Sequence, residues 1–140
     1  MPDSALLAGD TWFGGLASTF ALVRHRDTRG TLLPVELDSL PFAPRRIFTV
    51  AGVPAGTSRG GHGHRTAVQM LICVNGEVRV QMRYAGDEVT VTLSDAGPGL
   101  LMGAGIWAEQ TYVSEQAVLW VICSEPFNPD SYFRQKDGKQ

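Results

Sequence analysis

Two of the three histidines in this sequence, His62 and His64, lie in the stretch Arg-Gly-Gly-His-Gly-His-Arg that spans residues 59–65. Side chains two residues apart on an extended segment point to the same face, so both imidazoles are predicted to enter one cavity. The ordinary pKa of imidazole lies near neutral pH, which suits such a pair to acid–base chemistry. The neighbouring glycines leave space beside the rings for a small molecule. The alternative interpretation is a glycine-rich loop with two solvated histidines.

The spacing around the pair extends into a longer motif. From Gly56 to Gly76, the positions of the glycines, His62, His64 and Gln69 have the spacing of the first cupin motif. In that motif, the residue at the position of Gln69 is normally a glutamate that binds a metal. The resemblance implies a small β-barrel with its ligand site in the barrel mouth.

A second stretch, Gly97 to Ala108, resembles the second cupin motif, with Gly103 in place of its proline and Ala108 in place of its histidine ligand. A cupin metal site normally uses three histidines and one glutamate. Here two imidazoles remain, Gln69 supplies a neutral amide, and Ala108 supplies nothing. Since catalytic zinc-type sites normally keep three protein ligands, the substitutions predict no metal. No other cofactor is expected.

The elements that must position these side chains are short. Apolar runs after residue 30 are rich in Val, Ile, Leu and aromatic residues and are bounded by turn residues, which is typical of strands in a sandwich or barrel. The predicted strands are Arg46–Val50, Gln69–Val74, Val78–Tyr84, Glu88–Leu93, Leu100–Met102, Ile106–Val113 and Ala117–Ser124. The sequence therefore predicts a single all-β domain over residues 1–140, and the two motifs imply that it is a double-stranded β-helix of the cupin or jelly-roll type.

Turn residues separate the predicted strands. Asn75-Gly76 is a strong signal for a two-residue hairpin, because both positions of a type I′ turn tolerate positive φ. Ala85-Gly86-Asp87 predicts a second hairpin. The segment from Ala5 to Leu22 fits a short helix or an edge strand equally well.

Composition excludes several classes of partner. The 140 residues include 12 Lys plus Arg against 14 Asp plus Glu, so no excess of positive charge is available for nucleic acid or an anionic membrane. No apolar run approaches the roughly 20 residues that span a bilayer, and the first ten residues lack the pattern of a signal peptide. A cytoplasmic location is therefore expected. Cys73 and Cys123 both lie in apolar runs, which predicts buried reduced thiols in preference to a disulfide or a nucleophile.

Further segments of the sequence resemble one protein family, and together they cover most of the chain. Residues 59–64 are similar to a signature Arg-Gly-x-His-Ala-His, and Gln69 with residues 71–76 matches the strand and turn that follow it. The other matching segments are Arg29-Gly30-Thr31-Leu32, Pro41-Phe42, Arg45-Arg46-Ile47-Phe48, Gly99-Leu100, Trp107 and Asp130-Ser131-Tyr132-Phe133-Arg134. From Arg29 to Arg134 the chain thus resembles the WxcM-like sugar 3,4-ketoisomerases of the FdtA/QdtA type, cupins that act on dTDP-4-keto-6-deoxyglucose in deoxysugar biosynthesis.

The resemblance implies an isomerase that moves a carbonyl from C4 to C3 of the hexose through an enediol, without a metal. It gives His62 and His64 the roles of base and acid, in an order that the spacing leaves open. It implies that the nucleotide-sugar is bound by Arg46, Arg59, Gln69 and Trp107. It also implies a homodimer formed by exchange of β-strands.

The sequence departs from the family at three positions. Phe48 and Thr49 stand where the family commonly has tyrosines, and Ala108 stands where a polar residue, often His, follows the tryptophan. These departures keep other interpretations open. One is a relative recruited to another keto or enol substrate in natural-product biosynthesis. Others are a non-catalytic small-molecule-binding cupin and a metal cupin with ligands from outside the two motifs.

Overall fold

The computed structural model describes residues 8–134, which form short β-strands joined by tight turns. The strands are β1 (Ala8–Trp12), β2 (Ala17–Phe20), β3 (His25–Asp27), β4 (Gly30–Leu32), β5 (Arg46–Val50), β6 (Thr57–His64), β7 (Gln69–Asn75), β8 (Glu77–Tyr84), β9 (Asp87–Ser94), β10 (Gly99–Met102), β11 (Trp107–Tyr112), β12 (Val118–Cys123) and β13 (Tyr132–Phe133). Three 3-10 turns cover Phe13–Gly15, Leu37–Ser39 and Pro129–Ser131. No helix within residues 8–134 is long and apolar enough to cross a membrane.

Two antiparallel sheets face each other across the interior. One has the order β1-β2-β10-β7-β12-β5, and the other has the order β13-β6-β11-β8-β9. From β5 onward the chain passes from one sheet to the other at every connection except the β8–β9 hairpin, whereas β3 and β4 form a separate hairpin. This arrangement confirms the double-stranded β-helix that the sequence predicted.

The central strands β7 and β12 of the six-stranded sheet are buried on both faces. Leu71 and Val121 point inward to the core between the sheets, while Ile72 and Ile122 point outward. The outer face is covered by apolar side chains of the segment that precedes β5, among them Leu33, Val35, Leu40 and Phe42. Burial on both faces explains why β7 and β12 are continuous apolar runs in the sequence without alternation.

All seven predicted strands are present, and each bound lies within one residue of its predicted position. Within the segment 5–22, the structure describes residues from Ala8 onward. They form the edge strand β1 and its partner β2 and contain no α-helix, and residues 5–7 lie outside the described part of the chain.

The hairpin predicted at Asn75-Gly76 is wrong. β7 and β8 belong to different sheets, and the chain turns a barrel corner between them. Gly76 has φ +74°, but Asn75 does not have the positive φ that a type I′ turn requires. The corner is held by Ser114, whose hydroxyl accepts from the Glu77 N–H at 3.1 Å, and by Asp95, whose carboxylate accepts from the Gly76 N–H at 3.0 Å. Corners and hairpins need the same turn residues, so the dipeptide alone did not separate them.

The second predicted hairpin is confirmed. Tyr84 pairs with Asp87, which leaves Ala85 and Gly86 as a two-residue loop with φ values of +51° and +87°. These are the signs that a type I′ turn requires.

The two cysteines are buried free thiols, as expected. Burial raises the pKa of Cys73 to about 11, and burial also raises the pKa of Cys123. A raised pKa suppresses the thiolate form, so neither residue has the character of a nucleophile.

Candidate active site

A cavity of about 310 Å³ lies between the two sheets. Its wall combines a polar side, which carries both histidines, with an apolar side built from the barrel core. The lining residues are Arg46, Phe48, Thr49, Val50, Arg59, Gly60, His62, His64, Gln69, Leu71, Met102, Ile106, Ala108, Gln110, Tyr112, Leu119, Val121 and Tyr132. Five of the six side chains predicted to form the site therefore meet in one space.

A β-bulge in β6 brings Arg59 and the histidines to the same face. His62 pairs with Ala108 of β11, but the next pair joins Gly60 to Glu109, so Gly61 is an extra residue. Gly60 and Gly61 have φ of +91° and +76°, a region that favours glycine. The bulge shifts the alternation by one residue, and Arg59 lines the cavity together with His62 and His64.

The two imidazoles contact each other edge to face inside the cavity. Their ring centroids lie 5.3 Å apart, with an interplanar angle of 73°. Burial lowers the pKa of His64 to about 4, and the neighbouring His62 and Arg46 contribute in the same direction, while Glu125 opposes them. Burial also lowers the pKa of His62, an effect that the Gly60 backbone partly offsets. Both rings are therefore neutral at pH 7, the state in which imidazole accepts a proton.

Tyr132 is a site residue that sequence reasoning missed. It lies on β13, where it pairs with His64 of β6. Its ring is stacked on His62 at 4.6 Å with an interplanar angle of 19°, and it meets the edge of His64 at 4.4 Å. In the sequence, Tyr132 lies near the end of the segment that resembles the family. A strand of two residues has no periodic pattern that would indicate to which face of the sheet the tyrosine points.

Arg46 lies over two aromatic rings. Its guanidinium carbon is 4.6 Å from the centroid of Phe48 and 5.1 Å from that of Phe127. Both distances are within the range of cation–π contacts, which hold the group without neutralising it. Its charge is close enough to His64 to lower the pKa of that ring.

Gln69 is buried on β7, and its amide Nε2 donates to Cys123 Sγ at 3.5 Å. This contact leaves the amide oxygen as an acceptor in the cavity wall.

The donor set does not fit a metal. Two imidazoles and one amide oxygen converge, and Ala108 pairs with His62 at the position of a further ligand. The described residues contain no group of three His, Cys, Asp or Glu side chains that could hold an ion. Two strong donors fall short of the three that catalytic sites normally keep, so the arrangement favours proton transfer by the imidazoles themselves.

Trp107 is not in the cavity wall, in contrast to the expectation. It neighbours the cavity residue Ala108 on β11, so its side chain points to the opposite face of the sheet. It is 4% exposed, and its indole N–H donates to the Arg134 carbonyl at 3.1 Å. In this chain the tryptophan packs the outer face of the sheet near the end of β13.

Comparison with known proteins agrees with this geometry. Residues 17–138 match the family model FdtA, described as WxcM-like, C-terminal. The chain belongs to the FdtA family. The match covers most of the barrel, including both histidines and Tyr132.

Among curated relatives of this FdtA-family chain is the TDP-4-oxo-6-deoxy-alpha-D-glucose-3,4-oxoisomerase of Aneurinibacillus thermoaerophilus. It is 30% identical over 113 residues, which are 80% of this chain and 81% of the relative. Membership of the family, with relatives that are isomerases, makes the chain an isomerase, as the sequence predicted.

Solved structures show the same fold. QdtA, a sugar 3,4-ketoisomerase from Thermoanaerobacterium thermosaccharolyticum in complex with TDP, superposes with a TM-score of 0.79 at 30% identity and covers 86% of this chain and 88% of its own. A variant of that enzyme in complex with TDP-4-keto-6-deoxyglucose superposes with the same TM-score at 29% identity and the same coverage of both chains. A 3,4-ketoisomerase from Helicobacter canadensis superposes with a TM-score of 0.77 at 27% identity, over 85% of this chain and 90% of its own.

Proposed function

We propose that this FdtA-family chain is a sugar 3,4-ketoisomerase that acts on dTDP-4-keto-6-deoxyglucose, with His62 and His64 as its acid–base pair and without a metal. The observation that carries the proposal is the pair of neutral imidazoles in edge-to-face contact within the cavity. Relatives that act on this class of keto-sugar nucleotide support the choice of substrate.

The reaction needs a base that is neutral at the start. The C4 ketone acidifies the proton at C3, and one imidazole accepts it. The electron pair of the C3–H bond then forms the C3–C4 double bond, and negative charge develops on the C4 oxygen, which is protonated to give an enediol. Loss of the proton from the C3 hydroxyl forms the C3 ketone, while C4 receives a proton. C3 is oxidised and C4 is reduced within one molecule, so no external oxidant is needed.

The enediolate is the species that the site must stabilise. The imidazole that has taken the C3 proton becomes a cation beside the developing charge, and the low polarity of the apolar wall strengthens that attraction. Arg46 adds a second positive charge close to His64. The free amide oxygen of Gln69 can accept from a sugar hydroxyl and hold the ring in register.

We propose that the arginines also bind the diphosphate. The chain carries a formal net charge of −2, so no global field attracts an anionic substrate. Arg46 and Arg59 both line the cavity, and guanidinium groups suit phosphate oxygens because they offer several donors in one plane.

We propose that the enzyme works as a cytoplasmic homodimer in deoxysugar biosynthesis. β5 is an edge of the six-stranded sheet, and its Ile47 is 55% exposed. An open edge with an exposed apolar side chain is suited to pairing with a second copy. Sedimentation equilibrium at micromolar concentration should give twice the chain mass of 15.1 kDa.

The experiment is an NMR assay of purified protein with dTDP-4-keto-6-deoxyglucose in D2O. We expect a 3-keto product that carries deuterium at C4, and no exchange with the His62→Asn/His64→Asn double variant as control. Nucleotide binding without exchange would instead indicate a binding module. Absence of both binding and exchange would point to another keto or enol substrate. Elemental analysis of the active protein tests the metal-free part, and a stoichiometric metal required for turnover would overturn it.

A further inference from the structure

The phenol ring of Tyr132 contacts both members of the histidine pair. It is stacked on His62 at 4.6 Å and meets the edge of His64 at 4.4 Å, while Phe127 meets it edge-on at 5.9 Å. The hydroxyl of Tyr132 makes no hydrogen bond to any other residue in the described range 8–134. The ring face, and not the hydroxyl, therefore provides the contacts that this tyrosine makes within the chain.

Within residues 8–134, the Nδ1 atom of His62 lacks the hydrogen-bond partner that usually orients a reacting imidazole. Such a ring is normally held by a hydrogen bond from its other nitrogen to a carboxylate or carbonyl, which fixes its plane and its tautomer. In the described part of the chain, the Nδ1 atom of His62 is buried and has no hydrogen-bond partner. The Gly60 backbone acts on His62 and raises its pKa, but it does not satisfy Nδ1, so a contact on the ring face can fix the plane of the imidazole.

We propose that Tyr132 is a positioning residue for His62, whose imidazole plane it fixes by stacking and whose protonated form it supports through the face of its ring. The inference rests on the proposed isomerase function and deepens it. A parallel ring at this distance restricts rotation about χ2 of His62. The electron-rich face of a phenol attracts a cation, so it favours the imidazolium that forms when the C3 proton is taken.

The structure holds Tyr132 firmly enough for this task. β13 pairs with β6 through Tyr132–His64 and Phe133–Gly63, and the Arg65 N–H donates to the Ser131 carbonyl at 2.8 Å. Gly63, the residue between the histidines, allows the close approach. A Cβ atom there would lie 2.2 Å from the Phe133 ring, which is 2% exposed. Gly63 thus allows β13 to lie close enough to β6 for Tyr132 to contact both histidines.

Charged and titratable groups around the histidine pair also influence the pKa values of the two rings. Arg134 acts on His62 and lowers its pKa. Arg46 lowers the pKa of His64, and Glu125 raises it. An apolar variant at position 132 leaves these three groups and His64 in place and keeps an apolar cover over His62, so a further fall in the His62 pKa reports loss of the ring face, whereas a rise reports loss of burial.

The test compares Tyr132→Phe, which keeps the ring, with Tyr132→Leu, which removes it, and uses Tyr84→Leu as a control at a strand end outside the cavity. Turnover of dTDP-4-keto-6-deoxyglucose gives kcat and KM, and NMR titration of the full chain gives the pKa of His62, assigned by comparison with His62→Asn. We expect Tyr132→Phe and Tyr84→Leu to match the wild type within about threefold in kcat. We expect Tyr132→Leu to lose roughly 10- to 100-fold in kcat with little change in KM, because a misoriented base lowers the rate of the chemical step. Leucine keeps an apolar cover over His62 but offers no electron-rich face, so the pKa of His62 should fall further in this variant.

Three results would overturn the proposal. Equal losses of kcat in Tyr132→Phe and Tyr132→Leu would show that the hydroxyl, and not the ring, supports the reaction. An unchanged kcat or an unchanged His62 titration in Tyr132→Leu would leave the ring without a positioning role. If the wild type fails to turn over the sugar, the proposed function fails, but the titration still decides whether Tyr132 supports the His62 cation. Tyr132→Met, a second ring-free variant, replaces Tyr132→Leu if the latter does not fold.

Discussion

Arg59 and His62 line the same cavity, although their spacing on β6 would place them on opposite faces of a regular strand. The extra residue at Gly61 makes this possible, because it shifts the alternation by one position between the two side chains. A cation and an imidazole are thereby aimed at one ligand from a single strand.

The bulge predicts a strong effect of Gly60→Ala. The backbone at Gly60 has φ +91°, and an added Cβ would lie 2.7 Å from Gln110 Oε1 and 3.1 Å from the Ala108 carbonyl. We expect a loss of about 1–3 kcal/mol in the free energy of unfolding, measured in urea, and a fall in turnover. The control is Gly86→Ala, at φ +87° with open space around it, which carries the backbone strain without the contacts. Equal losses in the two variants would show that crowding at the bulge plays no part.

The alternation of apolar residues and the turn residues between them were enough to predict the barrel. Seven strands follow from these patterns because each buries one or both faces against the opposite sheet or the covering segment. Local sequence patterns did not determine which strands pair with each other. Asn75-Gly76 has the composition of a hairpin, but the partner strands of β7 are β10 and β12, and contacts far apart in sequence decide the crossing.

The sequence predicted the site residues whose side-chain orientation follows from their spacing. It did not predict those whose orientation depends on packing. His62, His64 and Gln69 keep the spacing of a known motif, and the cavity contains all three. Trp107 was placed in the site by likeness alone, but its neighbour Ala108 occupies the inward position on β11. Tyr132 enters the site through the pairing of a very short strand, which leaves almost no periodic signal in the sequence.

Removal of either histidine should strongly reduce turnover without unfolding the barrel. His62→Asn and His64→Asn keep a polar side chain of smaller volume in a cavity wall, so the thermal midpoint should change little. General acid–base catalysis contributes about 10²- to 10⁴-fold, and each variant should lose kcat within that range. His25→Asn is the matched control, since His25 is exposed on β3 outside the cavity. Full activity in both cavity variants would remove the acid–base pair from the mechanism.

The lowered pKa values predict that activity persists into mildly acidic solution. The base acts in its neutral form, and a pKa held below the ordinary histidine value of 6.5 postpones protonation to lower pH. We therefore expect kcat/KM to fall to half its plateau value only below pH 6.5, and near pH 4 if His64 is the base. Initial rates in buffers of constant ionic strength measure the profile. An acid limb centred above pH 6.5 would contradict the burial of the pair.

Replacements of Arg46 should distinguish the effect of its charge from the effect of its planar guanidinium group. The guanidinium lies over Phe48 and Phe127, and lysine, which keeps the charge, lacks the flat face and the several donors of that group. We expect Arg46→Lys to raise KM by about tenfold, roughly the worth of one charge-assisted contact, while the pKa of His64 stays low. Arg46→Gln should raise KM as well and should also raise the pKa of His64, because the charge that disfavours its protonation is gone. Arg79→Lys, on an exposed position of β8, is the control and should leave KM and the titration unchanged. If Arg46→Lys binds the nucleotide-sugar as tightly as the wild type, the diphosphate is held elsewhere, and Arg59 becomes the first residue to substitute.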